Sequence, residues 1–261
     1  MMLVTGGTGL LGRHLQRDPA IRASWEMIVP GSNALDVRRR EHVIEMITDW
    51  KPKAVVHLAY RKDDRRCIVD GSRNVAEAAA ACGARLIHLS TDVVFAGREA
   101  PYRERDLPFA ITDYGRMKAD AEAAVMAACP SAVMVRTSLM YATDFLAPCQ
   151  IDVQRSISGA QPMTFFTDEY RCPSHAADVA AACAALAAMP HVSGPLHVAA
   201  AQAVSRADFA RACATFMGLN PALVPAAPRP HGDTRPGRVV LDSSLAMALG
   251  MHCRSLAEAM R

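Results

Sequence analysis

Met2-Leu3-Val4-Thr5-Gly6-Gly7-Thr8-Gly9-Leu10-Leu11-Gly12-Arg13-His14-Leu15 opens the chain, and the rest is read outward from it. Leu3-Val4 is a short apolar run of the kind that forms a buried parallel strand. Gly6, Gly9 and Gly12 follow at the spacing G-x-x-G-x-x-G, and Leu10, Leu11 and Leu15 begin a helical period. Each glycine has a physical task at this spacing. The first permits a tight turn, the second lets backbone approach a pyrophosphate, and the third lets the helix pack closely on the strand. A helix N-terminus adds free N–H groups and a positive dipole end for the phosphates. A strand-turn-helix corner without a ligand is the plainer reading. The position of the stretch, at the head of a chain alternating between β and α patterns, favours dinucleotide binding.

Composition bounds the remaining choices. The chain has 261 residues, 51% hydrophobic, enough for one large α/β domain and a small second lobe. Its 29 basic and 26 acidic side chains leave a net charge of only +3, which is no footprint for nucleic acid. Arg38-Arg39-Arg40 reads as a solvated helix start. No apolar run reaches the roughly 20 residues of a membrane span. With no secretory signal ahead of the glycine turn, a cytoplasmic protein is expected. The 8 cysteines form no C-x-x-C pair and the 9 histidines no metal-ligand spacing, so neither disulfides nor a structural metal are expected.

Along the chain, Leu10–Arg17 reads as a helix stopped by Asp18-Pro19, and Trp25–Val29 as the second strand. That strand ends in Val29-Pro30-Gly31-Ser32, without the carboxylate that binds the adenosine ribose in many NAD enzymes. The missing acid removes a barrier to a 2′-phosphate and favours NADP(H), with NAD(H) as the other option; Arg13 or Arg38 could assist. Helix Arg38–Trp50, strand Ala54–Ala59, a charged loop Tyr60–Arg66, helix Asp70–Ala81 and strand Arg85–Ser90 follow. His57 is expected to be a hydrogen-bonded strand residue.

Ser90-Thr91-Asp92 places hydroxyls at the sheet edge that carries the glycine turn. Tyr114 and Lys118 then lie four apart near the start of a helix ending about Ala128, hence on one face. A tyrosine titrates near pH 10, and a nearby ammonium lowers that value towards neutrality. The expectation is therefore that Lys118 lowers the pKa of Tyr114 and makes it a usable acid/base. Further on, Ala132–Arg136 is the fifth strand, Pro148–Ser158 a helix, Met163–Phe166 a short strand and Asp168–His175 a polar turn. An alanine-rich helix Ala176–Met189, strand Gly194–Val198, helix Ser205–Met217, a proline-rich loop Pro221–Pro236 and a closing helix complete the chain.

Gly6-Gly7-Thr8-Gly9-Leu10-Leu11-Gly12, Leu35-Asp36-Val37, Ser90-Thr91-Asp92-Val93-Val94-Phe95-Ala96-Gly97, Tyr114-Gly115-Arg116-Met117-Lys118, Arg136-Thr137-Ser138 and Arg235-Pro236 through Leu241-Asp242-Ser243-Ser244 together resemble the extended short-chain dehydrogenase/reductases. The match is to the RmlD-like, dTDP-4-dehydrorhamnose reductase branch. The resemblance implies an α/β fold, a Rossmann-type doubly wound parallel sheet with a small C-terminal α/β substrate lobe. Residues 1–141, with about 174–200 returning to them, would form the NAD(P)-binding domain, and 142–261 mainly the substrate-binding lobe. It also implies reduction of a keto group on a nucleotide-linked deoxysugar, with a homodimer as a common outcome. Carried over residue by residue, Tyr114 would protonate the forming alkoxide, Lys118 would hold the nicotinamide ribose, and Thr91 would bind the carbonyl oxygen. Gly6, Thr8, Gly9, Leu10, Leu11 and Gly12 would serve the pyrophosphate turn, Asp36 and Val37 the adenine, Leu58, Ala59 and Tyr60 the adenosine ribose region, and Asp92 and Leu139 the sugar.

The departures fall on the substrate side. Val93 stands where the family usually has tyrosine, Leu139 where it has tryptophan, and His57-Leu58-Ala59 where it has Asn-Ala-Ala-Ala. Two other readings therefore stay open. One is a nucleotide-sugar epimerase or dehydratase. The other is a non-catalytic NADP-binding regulatory subunit, since Tyr170-Arg171-Cys172-Pro173-Ser174-His175 resembles a turn of the methionine adenosyltransferase β subunits.

Overall fold

The computed structural model describes residues 1–261. In chain order, β1 (Met2–Thr5), α1 (Leu10–Arg17), α2 (Pro19–Ser24), β2 (Met27–Ile28), α3 (Arg40–Trp50), β3 (Ala54–His57), α4 (Gly71–Cys82) and β4 (Arg85–Thr91) make the first half. There follow α5 (Asp113–Ala128), β5 (Val133–Thr137), β6 (Met140–Tyr141), α6 (Pro148–Ile157), β7 (Phe165–Phe166), β8 (Tyr170–Arg171), β9 (Ser174–His175), α7 (Ala176–Ala187) and β10 (Gly194–His197). The chain closes with β11 (Val204–Ser205), α8 (Arg206–Phe216), β12 (Ala226–Ala227), α9 (Ser244–Ala248) and α10 (Leu256–Ala259).

The central sheet is six-stranded and parallel, in the order β10-β5-β4-β3-β1-β2. Its strands are apolar because both faces are covered. On one face Leu11 and Leu15 of α1 meet Val179, Cys183 and Leu186 of α7 over Val4, Val56 and Ile87. On the other, Val43 and Ile47 of α3, Val75 and Ala79 of α4 and Val125 of α5 cover Leu3, Val55 and Leu86. From β1 the chain moves outward to β2, then crosses to β3 on the opposite side of β1. Such a reversal opens a crevice at the carboxyl ends of the strands, where doubly wound sheets bind ligands. A third core gathers Tyr141, Val153, Phe165 and Phe209 among α6, α8 and the short strand pairs β6-β9, β7-β12 and β8-β11.

Three expectations are corrected. Asp18-Pro19 starts a helix rather than breaking the chain, because the Asp18 carboxylate accepts from the N–H groups of Ala20 and Ile21 and Pro19 occupies the first helical position. The second strand is only Met27–Ile28. The turn Asp168–His175 holds two strands, whose partners lie elsewhere in the sequence. All eight cysteines are free thiols. No helix is long and apolar enough to cross a membrane, and no group of three or more His, Cys, Asp or Glu side chains is arranged to hold a metal.

Candidate active site

At the glycine turn, backbone sits where side chains would otherwise be. Gly6 has φ +69°, and a Cβ there would lie 2.6 Å from the Ala59 nitrogen. A Cβ on Gly12 would lie 2.4 Å from the Gly7 Cα, so α1 can sit this close to the turn only with glycine at Gly12. Gly9, by contrast, would bring a Cβ near nothing but the Gly6 carbonyl, at 3.3 Å; its backbone faces the cleft. Gln16 pins the turn from below, its Nε2 donating to the carbonyls of Gly7 (2.7 Å) and Gly12 (2.9 Å).

Thr5, Gly6, Gly7, Thr8 and Gly9 border a cleft of about 480 Å³ that continues along Pro30–Asn33, Leu35–Arg38 and Leu58–Arg61. Leu10, Leu11 and Gly12 do not line it with side chains. Leu11 belongs to the core under the sheet and Leu10 packs against the third core. What they present is the first turn of α1, whose N–H groups have no acceptor within the helix.

Asp36 and Val37 line the far end of this cleft, but Asp36 is engaged. Its carboxylate accepts from the Arg38 backbone N–H (3.0 Å), Nε (2.9 Å) and a terminal nitrogen (2.8 Å). The Arg38 hydrogen bonds hold the carboxyl down at about 2. Arg38 also reaches Asp64 at 3.2 Å, so it is a tied wall residue of the cleft rather than a solvated helix start. Arg13 is elsewhere, with its guanidinium 3.8 Å over the Phe145 ring.

Leu58, Ala59 and Tyr60 also border a second, smaller cavity of about 150 Å³, with His57, His88, Ser90, Thr91, Tyr114, Lys118, Thr137, Ser138 and Met140 around it. α5 delivers Tyr114 and Lys118 to this cavity. The helix starts there because the Thr112 hydroxyl accepts from the Gly115 N–H at 3.1 Å. Gly115 lets it approach the loop after β4, since a Cβ would fall 2.2 Å from the Val93 carbonyl oxygen. Thr91 Oγ1 donates to Asp92 at 3.2 Å and accepts from the Val93 N–H at 3.4 Å.

Lys118 does not act on Tyr114 as expected. Its Nζ donates to the Leu89 carbonyl at 2.6 Å and lies 3.5 Å from His88 Nε2, turned into the sheet. Burial lowers the lysine to about 8, against the opposing pull of Glu122 and Cys67. Tyr114 is moved upward, first by burial and then by Tyr60 and Asp92. The phenol is thus held protonated rather than eased towards phenolate.

Asp92 and Leu139 are not brought to either cavity. Asp92 is buried, accepting from Ser138 Oγ at 2.6 Å and lying 3.6 Å from Arg171 of β8. Leu139 packs against the third core, and the neighbouring Met140 faces the cavity instead. Ser90 reaches the cavity wall while donating to Glu122 (2.5 Å), which forms a buried ion pair with Arg136 at 2.7 Å. His88, Thr137 and Met140 carried no signal in the sequence as cavity residues, whereas Ser90 was expected at this sheet edge. Their place depends on strand register and on which way the chain turns after β5.

The methionine adenosyltransferase 2 subunit beta of Pongo abelii is 30% identical over 97% of this chain and 84% of its own length. A dTDP-4-dehydrorhamnose reductase of Mycolicibacterium smegmatis is 30% identical over 96% of this chain and 80% of its own. The crystal structure of the dTDP-4-dehydrorhamnose reductase of Bacillus anthracis, in complex with NADP, superposes with a TM-score of 0.84 at 23% identity, covering 99% of this chain and 95% of that one. The sequence model of the RmlD substrate binding domain matches residues 1–261, and the chain belongs to that family of extended short-chain dehydrogenase/reductases.

Proposed function

We propose that the chain reduces a keto group on a nucleotide-linked deoxysugar, of the dTDP-4-dehydrorhamnose kind, with NADP(H) preferred over NAD(H). One observation carries the reading. The glycine-turn cleft and the Tyr114 cavity share Leu58, Ala59 and Tyr60, so a single elongated ligand would reach from Gly9 to Lys118. Residues 142–261 would supply most of the sugar-binding lobe, and residues 1–141 with about 174–200 the dinucleotide domain.

A bound reduced dinucleotide supplies the hydride. The chain's own residues do the rest. The first-turn N–H groups of α1 hold the pyrophosphate, where Gly9 leaves room. Lys118, whose amine lies at the cavity floor beside the Leu89 carbonyl, would hold the nicotinamide ribose. Thr91 Oγ1 hydrogen-bonds the substrate carbonyl oxygen, and the Tyr114 hydroxyl gives that oxygen its proton as the alkoxide forms. A phenol kept protonated by burial suits this direction of transfer. The resulting tyrosinate is then favoured by the nearby Lys118 ammonium. The adenosine end supports the phosphate-bearing cofactor, since Pro30, Gly31, Ser32 and Asn33 directly after β2 carry no acid and the following Asp36 is engaged by Arg38. Arg61 is exposed on the same wall.

The test is titration with NADPH and NADH, then loss of reduced-nicotinamide absorbance with a dTDP-4-keto-6-deoxy sugar. Oxidation that depends on the sugar supports the reading. Tight NADPH binding with no turnover on any keto-sugar would favour the second reading, a cofactor-binding subunit without catalysis, to which the adenosyltransferase subunit relatives point.

A further inference from the structure

The face of the central sheet towards α4 and α5 carries two polar rows; in one, Ser90 and Arg136 are bound to Glu122, and the other runs across β1, β3 and β4. Thr5 of β1, His57 of β3 and His88 of β4 are in register on three neighbouring strands. All three are buried. Buried polar groups cost stability unless paired, so the pairing of each is informative.

His57 is fixed. Ser72 Oγ donates to the Ile68 carbonyl at 2.6 Å, so it accepts from His57 Nε2 at 3.2 Å. His57 Nδ1 is then the acceptor for Thr5 Oγ1 at 2.7 Å, and Thr5 in turn accepts from the Ala59 N–H at 3.4 Å. His88 stacks on this anchored ring, with centroids 5.5 Å apart. Its Nε2 faces Lys118 Nζ at 3.5 Å. A lysine ammonium is donor only, so Nε2 accepts and the His88 proton sits on Nδ1, which has no partner in the protein. Lys118 thus has two acceptors, His88 and the Leu89 carbonyl, and forms no ion pair.

We propose that His88, held in place by His57, is a positioning residue that docks the charged amine of Lys118 at the floor of the cavity. The proposal rests on the reading of Lys118 as the residue that meets the nicotinamide ribose. The titratable groups around the amine are His88 and His57 from the sheet, Cys67 from the turn before α4, and Tyr114 and Glu122 of its own helix. Burial already lowers Lys118 to about 8, with Glu122 and Cys67 opposing. Loss of the His88 acceptor weakens the charged form further, so the amine sheds its proton at lower pH.

Two measurements test this. In cofactor-free protein, imidazole ¹⁵N spectra are expected to show His88 Nε2 as an unprotonated acceptor whose signal moves in Lys118→Met while that of His57 stays. The second is the NADPH dissociation constant across pH 6 to 10. Weakening of binding with rising pH is expected about one unit lower in His88→Leu, a loss of about tenfold within that window. Gln places an acceptor where Nε2 stood and Asn does not, so His88→Gln should restore the wild-type profile and His88→Asn should follow His88→Leu. Should His88→Leu fail to fold, the Gln/Asn contrast and the spectra decide. Identical profiles for Gln, Asn and wild type, or an Nε2 signal indifferent to Lys118→Met, overturn the proposal. A wild-type protein that binds no NADPH at any pH defeats the functional reading instead, and the spectra still settle the docking.

Discussion

The two ends of the cleft are built on different principles. The glycine turn is a backbone site: Gly6, Gly9 and Gly12 act through what they lack, and contacts of 2.6 and 2.4 Å to an imagined Cβ define the places of Gly6 and Gly12, while Gly9 leaves open space. The Tyr114 end is a side-chain site. Thr91, Tyr114 and Lys118 arrive from a strand end and a helix, and their orientation is set by Leu89, His88 and Asp92. A backbone site is nearly fixed by local sequence, because the turn imposes the same geometry wherever that spacing occurs. A side-chain site is fixed by distant neighbours, and the same Tyr-x-x-x-Lys can sit in more than one state. Here the lysine is turned inward and the tyrosine is held protonated.

The sharpest test of the side-chain end is Tyr114→Phe. If the hydroxyl delivers the proton, turnover falls by about a thousandfold while NADPH affinity stays within about twofold. Stopped-flow or steady-state assay with a dTDP-4-keto-6-deoxy sugar reads the first, and fluorescence titration the second. Turnover that survives removes Tyr114 from the chemistry. The matching test of the backbone end is Gly12→Ala. Its methyl would overlap the backbone of Gly7, and we expect a loss of about 2–3 kcal/mol together with NADPH binding. Gly31→Ala on the same cleft meets nothing within 4 Å and should leave denaturant midpoints almost unchanged.

What could be read from the sequence follows the same division. Parallel strands, the helices between them and the glycine turn are local patterns, and they stand where periodicity puts them. Helix α2 was hidden because Pro19 reads equally as a breaker or as a first helical residue, and only the Asp18 cap decides. Strands β8 and β9 were hidden because two residues carry no period; they exist through pairing with β11 and β6. The inward turn of Lys118 depends on a carbonyl and an imidazole from β4, and the burial of Asp92 on Arg171, which lies far along the chain. Neither partnership leaves a spacing to recognise. His57 was legible as a hydrogen-bonded strand residue, but its part in a row ending at Lys118 required the register of three strands.

Lys118→Met separates stability from function at the side-chain end. The lysine titrates near 10.5 when unfolded and about 8 here, so the unfolded chain binds more protons between those values. The cost of burying the charge is therefore complete below pH 8 and relieved as pH rises towards 10.5. At pH 7 the variant should be more stable by about 2 kcal/mol, less than the shift alone would suggest because the hydrogen bond to Leu89 is also lost. That advantage should vanish above pH 10.5, as urea unfolding at several pH values would read, while sugar reduction is lost throughout. A variant less stable than wild type at pH 7 would mean the amine is better solvated or paired than its surroundings indicate.

The smallest effect concerns which cofactor the backbone end accepts. Two cations line the Pro30–Asn33 end of the cleft, Arg38 and Arg61. Arg38 is already satisfied by Asp36 at 2.8 Å and Asp64 at 3.2 Å, so its charge is largely spent within the protein. Arg61, exposed on the same wall, is the better placed to answer a 2′-phosphate. An exposed charge contact is screened and modest. Arg61→Ala should therefore weaken NADPH binding only about three- to fivefold and leave NADH unchanged, with the difference shrinking as salt is raised. Equal losses for both cofactors would assign Arg61 to the shared part of the dinucleotide. No loss for either would leave phosphate recognition to Ser32, Asn33 and backbone, making that end, too, a site defined by main chain rather than charge.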